Sequence, residues 1–376
     1  MRIGIDIREL GGLRTGVGNY LSNLCQQWIH GPTATHHELF LYRPPSVNSQ
    51  ALNNAATKMQ QRVRHRIVPG NNGVWWEQIQ LPKAVEVDSV DVFFGPAYSI
   101  PLGLSSPSVV TIHDISFSAH PEWFSWREGP RRRWLAKQSA MRASKVLTVS
   151  EFSRSEIANH YDIDFARISV VHNGIDLPQN PKRLDGPPLV LFVGSLFNRR
   201  HLPVLIEAFA QVVQKLPDAR LALIGDNRTY PRQNLQACAE RFGLSECVNF
   251  YGHLPEPELY DCYRRAKAFV FLSEYEGFGM TPLEALSYGV PLVVGDTKVA
   301  HEIYRTTARY VPIDNPSIVA LEILAVIKNE GIRSKLLAGA ERLLDHYSWA
   351  RAASETMALL EQAAGQQPCP KSTSSL

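Results

Sequence analysis

The stretch SEYEGFGMTPLEALSYGVPLVV, residues 273–294, reads as a glycine-punctuated loop, a short helix and the start of a buried strand. Thr281 is a natural N-cap, and Pro282 suits the first helical position, where a proline forfeits no hydrogen bond. Gly289 ends the helix, Pro291 blocks its continuation, and Pro-Leu-Val-Val opens the strand. Gly277 and Gly279 let the main chain approach a ligand closely. The loop through Phe278 and the helix start at Gly279, Met280 and Thr281 point free amides and a positive dipole end at one place, which favours an anion and above all a phosphate. Two carboxylates belong to the segment, Glu276 on the loop and Glu284 one turn into the helix. Glu284 also has a purely local reading, as the closing member of a capping box with Thr281.

Working outward, a chain of 376 residues that is 44% hydrophobic is long enough for two cores, so two domains are expected. A net charge of +3 makes no case for nucleic acid. The five cysteines are scattered without a CxxC pair or His/Cys metal spacing, as for free thiols in a reducing compartment. The chain opens MRIGIDIREL, a strand rather than a signal peptide, and no run approaches the ~18 apolar residues of a membrane span. These features point to a cytoplasmic protein whose membrane contact, if made, is peripheral.

Strands alternate with helices throughout, the pattern of parallel sheets covered on both faces. In the first half, strands are expected at Ile3–Asp6, Glu38–Tyr42, Val63–Val68, Asp91–Phe94, Val109–His113, Lys145–Val149 and Ile168–Val171. A Pro-rich polar stretch, residues 176–188, reads as a linker. A second series then runs through strands Leu189–Val193, Arg220–Ile224, Asn249–Tyr251 and Ala268–Leu272. This divides the chain into a first domain over 1–175, a second over 189–345, a helix over 346–364 returning across the hinge, and a disordered tail over 365–376. The expected fold class is α/β, two doubly wound Rossmann-like domains facing across a cleft.

Strand ends in such folds border the ligand crevice. After Leu189–Val193 come Arg199 and Arg200, two guanidinium forks suited to diphosphate oxygens. They open a helix, an unfavourable place for cations unless an anion joins them. Gly225 ends the following strand, where a nucleotide base would lie. In the first domain, Gly16 and Gly18 lie between strand and helix, and His113-Asp114 ends the strand Val-Val-Thr-Ile. A histidine there is tunable near neutral pH. The run GPRRRWLAKQSAMRASK, residues 129–145, with a helix expected near Pro130–Arg142, is strongly basic, which suits a solvated face or an anionic lipid surface.

The E-x7-E pattern, with Glu-Gly-Phe-Gly at its head and Pro-Leu-Glu-Ala at its tail, resembles the signature of the retaining, nucleotide-sugar-dependent glycosyltransferases of family 4, which have the GT-B fold. The resemblance extends to Gly16-x-Gly18-x-Tyr20, to His113-Asp114 with Pro121-Glu-Trp-Phe downstream, and to Arg199-Arg200-His201, where the family pattern resembles Arg-Lys-Asn. It implies Glu276 beside the donor sugar and Glu284 on the nucleotide ribose. It also implies His113 near a sugar hydroxyl, with Gly16 and Gly18 near the donor phosphate or the acceptor. Similarity to bacterial mannosyltransferases of surface polysaccharide assembly, including lipopolysaccharide, favours GDP-mannose over a UDP-sugar as donor. The acceptor is then a glycan or lipid-linked saccharide. No cofactor beyond that donor is expected, and no metal. The leaving diphosphate then falls to Arg199, Arg200 and the helix amides. The rival readings are a GT-B sugar epimerase and a non-catalytic nucleotide-sugar-binding subunit.

Overall fold

Parallel strands buried on both faces need continuous apolar runs and crossover helices, and this chain supplies both. The computed structural model describes residues 1–11, 16–31, 36–47, 62–124, 129–178 and 181–365. The expected disorder of the tail and the loop residues Gly12–Thr15 lie outside the described residues, save Gly365. Two compact units form. The first comprises Met1–Ala119, Trp126–Gly174 and the chain from Tyr347; the second comprises His120–Ser125 and Ile175–His346.

The first unit holds strands β1 (Arg2–Asp6), β2 (Glu38–Arg43), β3 (Val63–Ile67), β4 (Val92–Gly95), β5 (Ser108–Thr111), β6 (Lys145–Thr148) and β7 (Ile168–Val170). Their order is β3-β2-β1-β4-β5-β6-β7, with every neighbouring pair parallel. Central β4 and β5, Val-Phe-Phe-Gly and Ser-Val-Val-Thr, are buried throughout. Edge strand β3, Val-Arg-His-Arg-Ile, carries its charges into solvent, which blunts an otherwise open edge. Helix Gly16–His30 buries Tyr20, Leu21, Leu24, Cys25, Trp28 and Ile29, one apolar stripe at helical spacing. Helix Trp349–Ala364 buries a matching stripe against it and against β4 and β5. Trp28 Nε1 donates to the Ala353 carbonyl at 2.9 Å, so the buried indole keeps its hydrogen bond.

The second unit holds β8 (Leu189–Val193), β9 (Arg220–Ile224), β10 (Val248–Tyr251), β11 (Ala266–Phe271), β12 (Leu292–Gly295) and β13 (Ala308–Val311). Their order is β10-β9-β8-β11-β12-β13, again all parallel. Each sheet thus reverses its winding direction once, at β1/β4 in the first unit and at β8/β11 in the second. Ligands of doubly wound sheets sit beyond the carboxyl ends of the strands at that point.

Elements beyond what the sequence pattern gives include helix Lys298–Tyr304, β13 and helix Pro316–Lys328. The helical pattern over Ile332–Leu344, continuous in the sequence, forms two helices, Glu330–Leu337 and Ala340–His346, separated at Ala338–Gly339. The proline-rich stretch is fastened to the second unit over Lys182–Leu184. Arg264 Nε donates to the Lys182 carbonyl, and Leu184 N to the Arg264 carbonyl, both at 2.9 Å. Arg183 donates to the carbonyls of Tyr263, Tyr288 and Ala266. Among the described residues no helix is long and apolar enough to cross a membrane.

Candidate functional site

In the second unit, the loops after β8 and β11 meet at the winding reversal. Arg200 turns inward from the β8 loop, and its Nη1 donates to the Ser195 carbonyl at 2.8 Å. Its Nε and Nη2 both reach Glu276 Oε1, at 2.9 and 2.8 Å. The guanidinium lies over Phe271, 4.9 Å from the ring centroid. Burial pulls the Arg200 pKa down and Glu276 works against that. Ser273 Oγ donates to the same Glu276 oxygen at 2.8 Å. Two residues that the sequence offers as separate ligand contacts are therefore one buried ion pair, which fixes the carboxylate's orientation.

Arg199 points differently. Its guanidinium sits over Phe197, 4.4 Å from the centroid, and 5.9 Å from that of Trp123. Its Nε is buried with no hydrogen-bond partner. Its own carbonyl accepts from Glu274 N at 3.0 Å, which pins the β8 loop to the β11 loop. A buried cationic N–H without an acceptor costs about 1–3 kcal/mol or more, so an anion bound there would relieve a penalty already present.

The helix after the Glu-Gly-Phe-Gly loop runs Met280–Ser287, and its N-cap is Gly279 rather than Thr281. Gly279 has φ +84°, and a Cβ there would lie 2.1 Å from Tyr304 Oη. That hydroxyl donates to the Gly279 carbonyl at 2.9 Å. Only glycine meets both demands. Thr281 falls inside the first turn, and no side chain caps this helix, so its leading amides are left to solvent or ligand. The helix ends in a Schellman motif, with Val290 N on the Ala285 carbonyl and Gly289 N on the Leu286 carbonyl. Phe278 is buried behind the loop. Gly225, at φ +139°, brings the end of β9 so close to β8 that a Cβ would lie 2.2 Å from the Gly194 carbonyl.

The helix start at Met280 also rejects the capping box, because Glu284 is then too far along to reach back. Instead Glu284 Oε2 accepts from Tyr263 Oη at 2.8 Å. Burial lifts its pKa above the ordinary 4.5; the tyrosine bond opposes the rise and Asp176 adds to it. The sign follows directly. A raised carboxyl pKa means the folded state binds the proton more tightly, so ionisation at neutral pH destabilises the fold. Glu284→Gln, which can still accept from Tyr263, should raise the melting temperature at pH 7, by about 2–4 °C per kcal/mol relieved. The gain should shrink as pH falls through the raised pKa and vanish below 4.5. Thermal denaturation across pH checks it; a lower melting temperature for the variant at pH 7 would count against it.

In the first unit, His113 lies two residues beyond β5 and is buried. Its Nε2 is 2.9 Å from the Pro96 carbonyl, so that nitrogen carries the proton and Nδ1 is the ring's acceptor. Tyr20 and Tyr98 meet the ring edge-on, with centroids at 4.8 and 5.6 Å. Burial lowers the His113 pKa, which keeps the ring neutral at neutral pH. Gly16 and Gly18 form the first turn of helix Gly16–His30 rather than the loop before it. Asp114 accepts from Ser116 N at 2.8 Å and from Tyr98 Oη at 3.3 Å.

The sequence reading missed several partners. Ser273, Tyr263 and Tyr304 look like ordinary strand-end or helix residues, yet each holds a candidate site group. Tyr20, the last residue of the glycine motif, packs on His113, a role its fixed spacing from Gly16 and Gly18 hinted at. Also missed is a buried cluster after β1, where Arg8 pairs with Asp6 Oδ2 at 2.7 Å and Glu77 Oε1 at 3.0 Å beneath Trp76. Trp76 belongs to the core, whereas Trp75 is 58% exposed. On the basic helix Gly129–Arg142, Arg131, Arg132 and Trp134 are exposed.

Comparison with known proteins bears on both units. Residues 14–179 match the family model Glycosyltransferase Family 4, and residues 176–342 match the model Glycosyl transferases group 1. The chain is 25% identical over 281 residues to O-antigen chain mannosyltransferase B of Escherichia coli, covering 71% of this chain and 73% of that one. It is 30% identical over 206 residues to O-antigen chain mannosyltransferase RfbU of Salmonella typhimurium, covering 55% and 57%. Among solved structures, Anabaena HepE in complex with UDP-glucose superimposes with a TM-score of 0.73 at 17% identity, covering 96% of this chain and 100% of that one.

Proposed function

The chain belongs to the family 4 glycosyltransferases, with the two Rossmann-like units of the GT-B fold, and from that premise we propose that it transfers a hexose, mannose by preference, from a nucleoside-diphosphate sugar. The acceptor is a glycan or a lipid-linked saccharide, and the anomeric configuration is retained. The observation that carries this reading is the buried, unpartnered Arg199 Nε on a loop tied to the one that bears Glu276.

Breaking the anomeric bond expels a diphosphate whose growing charge must be met. Arg199 and the uncapped amides at Gly279, Met280 and Thr281 meet it, aided by the helix dipole, without a metal ion. Phe278 closes the loop behind them, and Gly225 borders the nucleotide base. Glu276, held by Arg200 and Ser273, lies against the donor sugar. Glu284 takes a ribose hydroxyl, offsetting the cost of its buried charge. His113, neutral and with Nδ1 as acceptor, takes a sugar hydroxyl, and Gly16 and Gly18 offer amides to the donor phosphate or the acceptor. The leaving phosphate itself receives the acceptor's proton, and the new bond forms on the face the diphosphate leaves.

Two relatives named as O-antigen chain mannosyltransferases support mannose as the sugar; the UDP-glucose in HepE supports a UDP-sugar as second choice to GDP-mannose. Exposed arginines and Trp134 on helix Gly129–Arg142 suit contact with an anionic bilayer at the cytoplasmic face, where a lipid-linked acceptor would be presented. A thermal-shift screen with GDP, UDP and ADP tests the donor class. At about a hundredfold over Kd the matching nucleotide stabilises by about 2.7 kcal/mol, a shift of several degrees. No shift with any of the three would refute the reading, and activity lost with EDTA and restored only by manganese would refute metal independence.

A further inference from the structure

The chain leaves the first unit at Ala119 and re-enters it at Trp126, and between them His120–Ser125 belongs to the second unit. The short turn Pro121–Trp123 lays the Trp123 indole on the His120 ring, with centroids 3.9 Å apart and planes within 9°. Both rings meet Tyr275 edge-on, at 6.2 and 5.2 Å. Tyr275 is buried and immediately precedes Glu276. On its other side Trp123 neighbours the Arg199 guanidinium, which Phe197 also covers.

The geometry points to Trp123 as a positioning residue for Arg199, and so for the affinity of the site for a diphosphate group. This rests on the reading that Arg199 meets the donor diphosphate. Two aromatic faces attract a guanidinium without taking its N–H groups, so the cation is held while its donors remain for an anion. A carboxylate in the place of Trp123 would hold Arg199 equally well but would occupy those donors. Trp123 is only half-buried, so removing it opens no core cavity, and its effect should pass through Arg199.

A double-mutant cycle tests this, with GDP and UDP as probes titrated into wild type, Trp123→Leu, Trp123→Phe, Arg199→Ala and the double variant W123L/R199A. Trp123→Leu should weaken diphosphate binding about five- to tenfold, within the range of direct side-chain couplings. Trp123→Phe, which keeps an aromatic face, should recover most of that affinity. In the Arg199→Ala background Trp123→Leu should change nothing, and GMP or UMP should be affected less than the diphosphates. Equal weakening in both backgrounds, or wild-type affinity in Trp123→Leu, overturns the positioning role. Wild-type affinity in Arg199→Ala overturns the diphosphate reading itself, and the role of Trp123 with it.

Discussion

Glu276→Gln should fold and yet transfer sugar at least about a hundredfold more slowly than wild type, the size of effect seen when a preorganised polar group at a reacting centre is lost. Glutamine keeps the volume and can still accept from Ser273, so the loop survives. What it removes is the negative charge that Arg200 holds in place. Glu276→Ala should be equally inactive and also less stable, by about 3–5 kcal/mol, because it leaves the buried Arg200 cation unpaired. Steady-state turnover beside thermal denaturation separates the two effects. Wild-type turnover in Glu276→Gln would remove the carboxylate from the chemistry and leave it as the partner of Arg200.

Arg199→Ala should cut affinity for the nucleoside diphosphate about ten- to a hundredfold, as expected for losing one or two charge-assisted hydrogen bonds. Its melting temperature without ligand should not fall, since the substitution deletes a buried N–H that had no acceptor. Arg199→Lys should recover the affinity only in part, because an ammonium lacks the planar fork. This contrast of weaker binding with unchanged stability marks a residue kept for a ligand. Titration calorimetry and melting curves measure the two halves; undiminished diphosphate affinity in Arg199→Ala would contradict the assignment.

The fold was legible in the sequence because buried parallel strands announce themselves. Runs such as Leu189–Val193 and Arg220–Ile224 are apolar, short and bounded by turn residues, and both occur as read. The stretch from Lys298 to Lys328 was not legible: β13, Ala-Arg-Tyr-Val, carries an arginine mid-strand that belongs to an ion pair with Glu322 on the following helix. Local pattern cannot register such a partner. Capping chemistry misled at Thr281 for a related reason. The preference of threonine for an N-cap is a few tenths to about 2 kcal/mol, whereas Tyr304, 25 residues away, fixes Gly279 as the true start.

The candidate groups were legible as residue types at strand ends, but not their pairing. Arg199 and Arg200 read alike in sequence, yet one is neutralised by Glu276 and the other is held between aromatic rings. Likewise, a loop carboxylate such as Glu276 reads as dispensable to the fold, and only the Arg200 contact shows otherwise. What the sequence lacks is the third dimension of the β8/β11 reversal, which brings positions 76 residues apart within 2.9 Å.

A crystal structure with GDP or UDP bound tests the central claim most directly. The diphosphate should lie beyond the carboxyl ends of β8 and β11, its oxygens about 2.7–3.2 Å from the Arg199 guanidinium and the first-turn amides around Met280. A diphosphate bound elsewhere, with Arg199 and the Met280–Ser287 helix start making no contact to it, would contradict the claim.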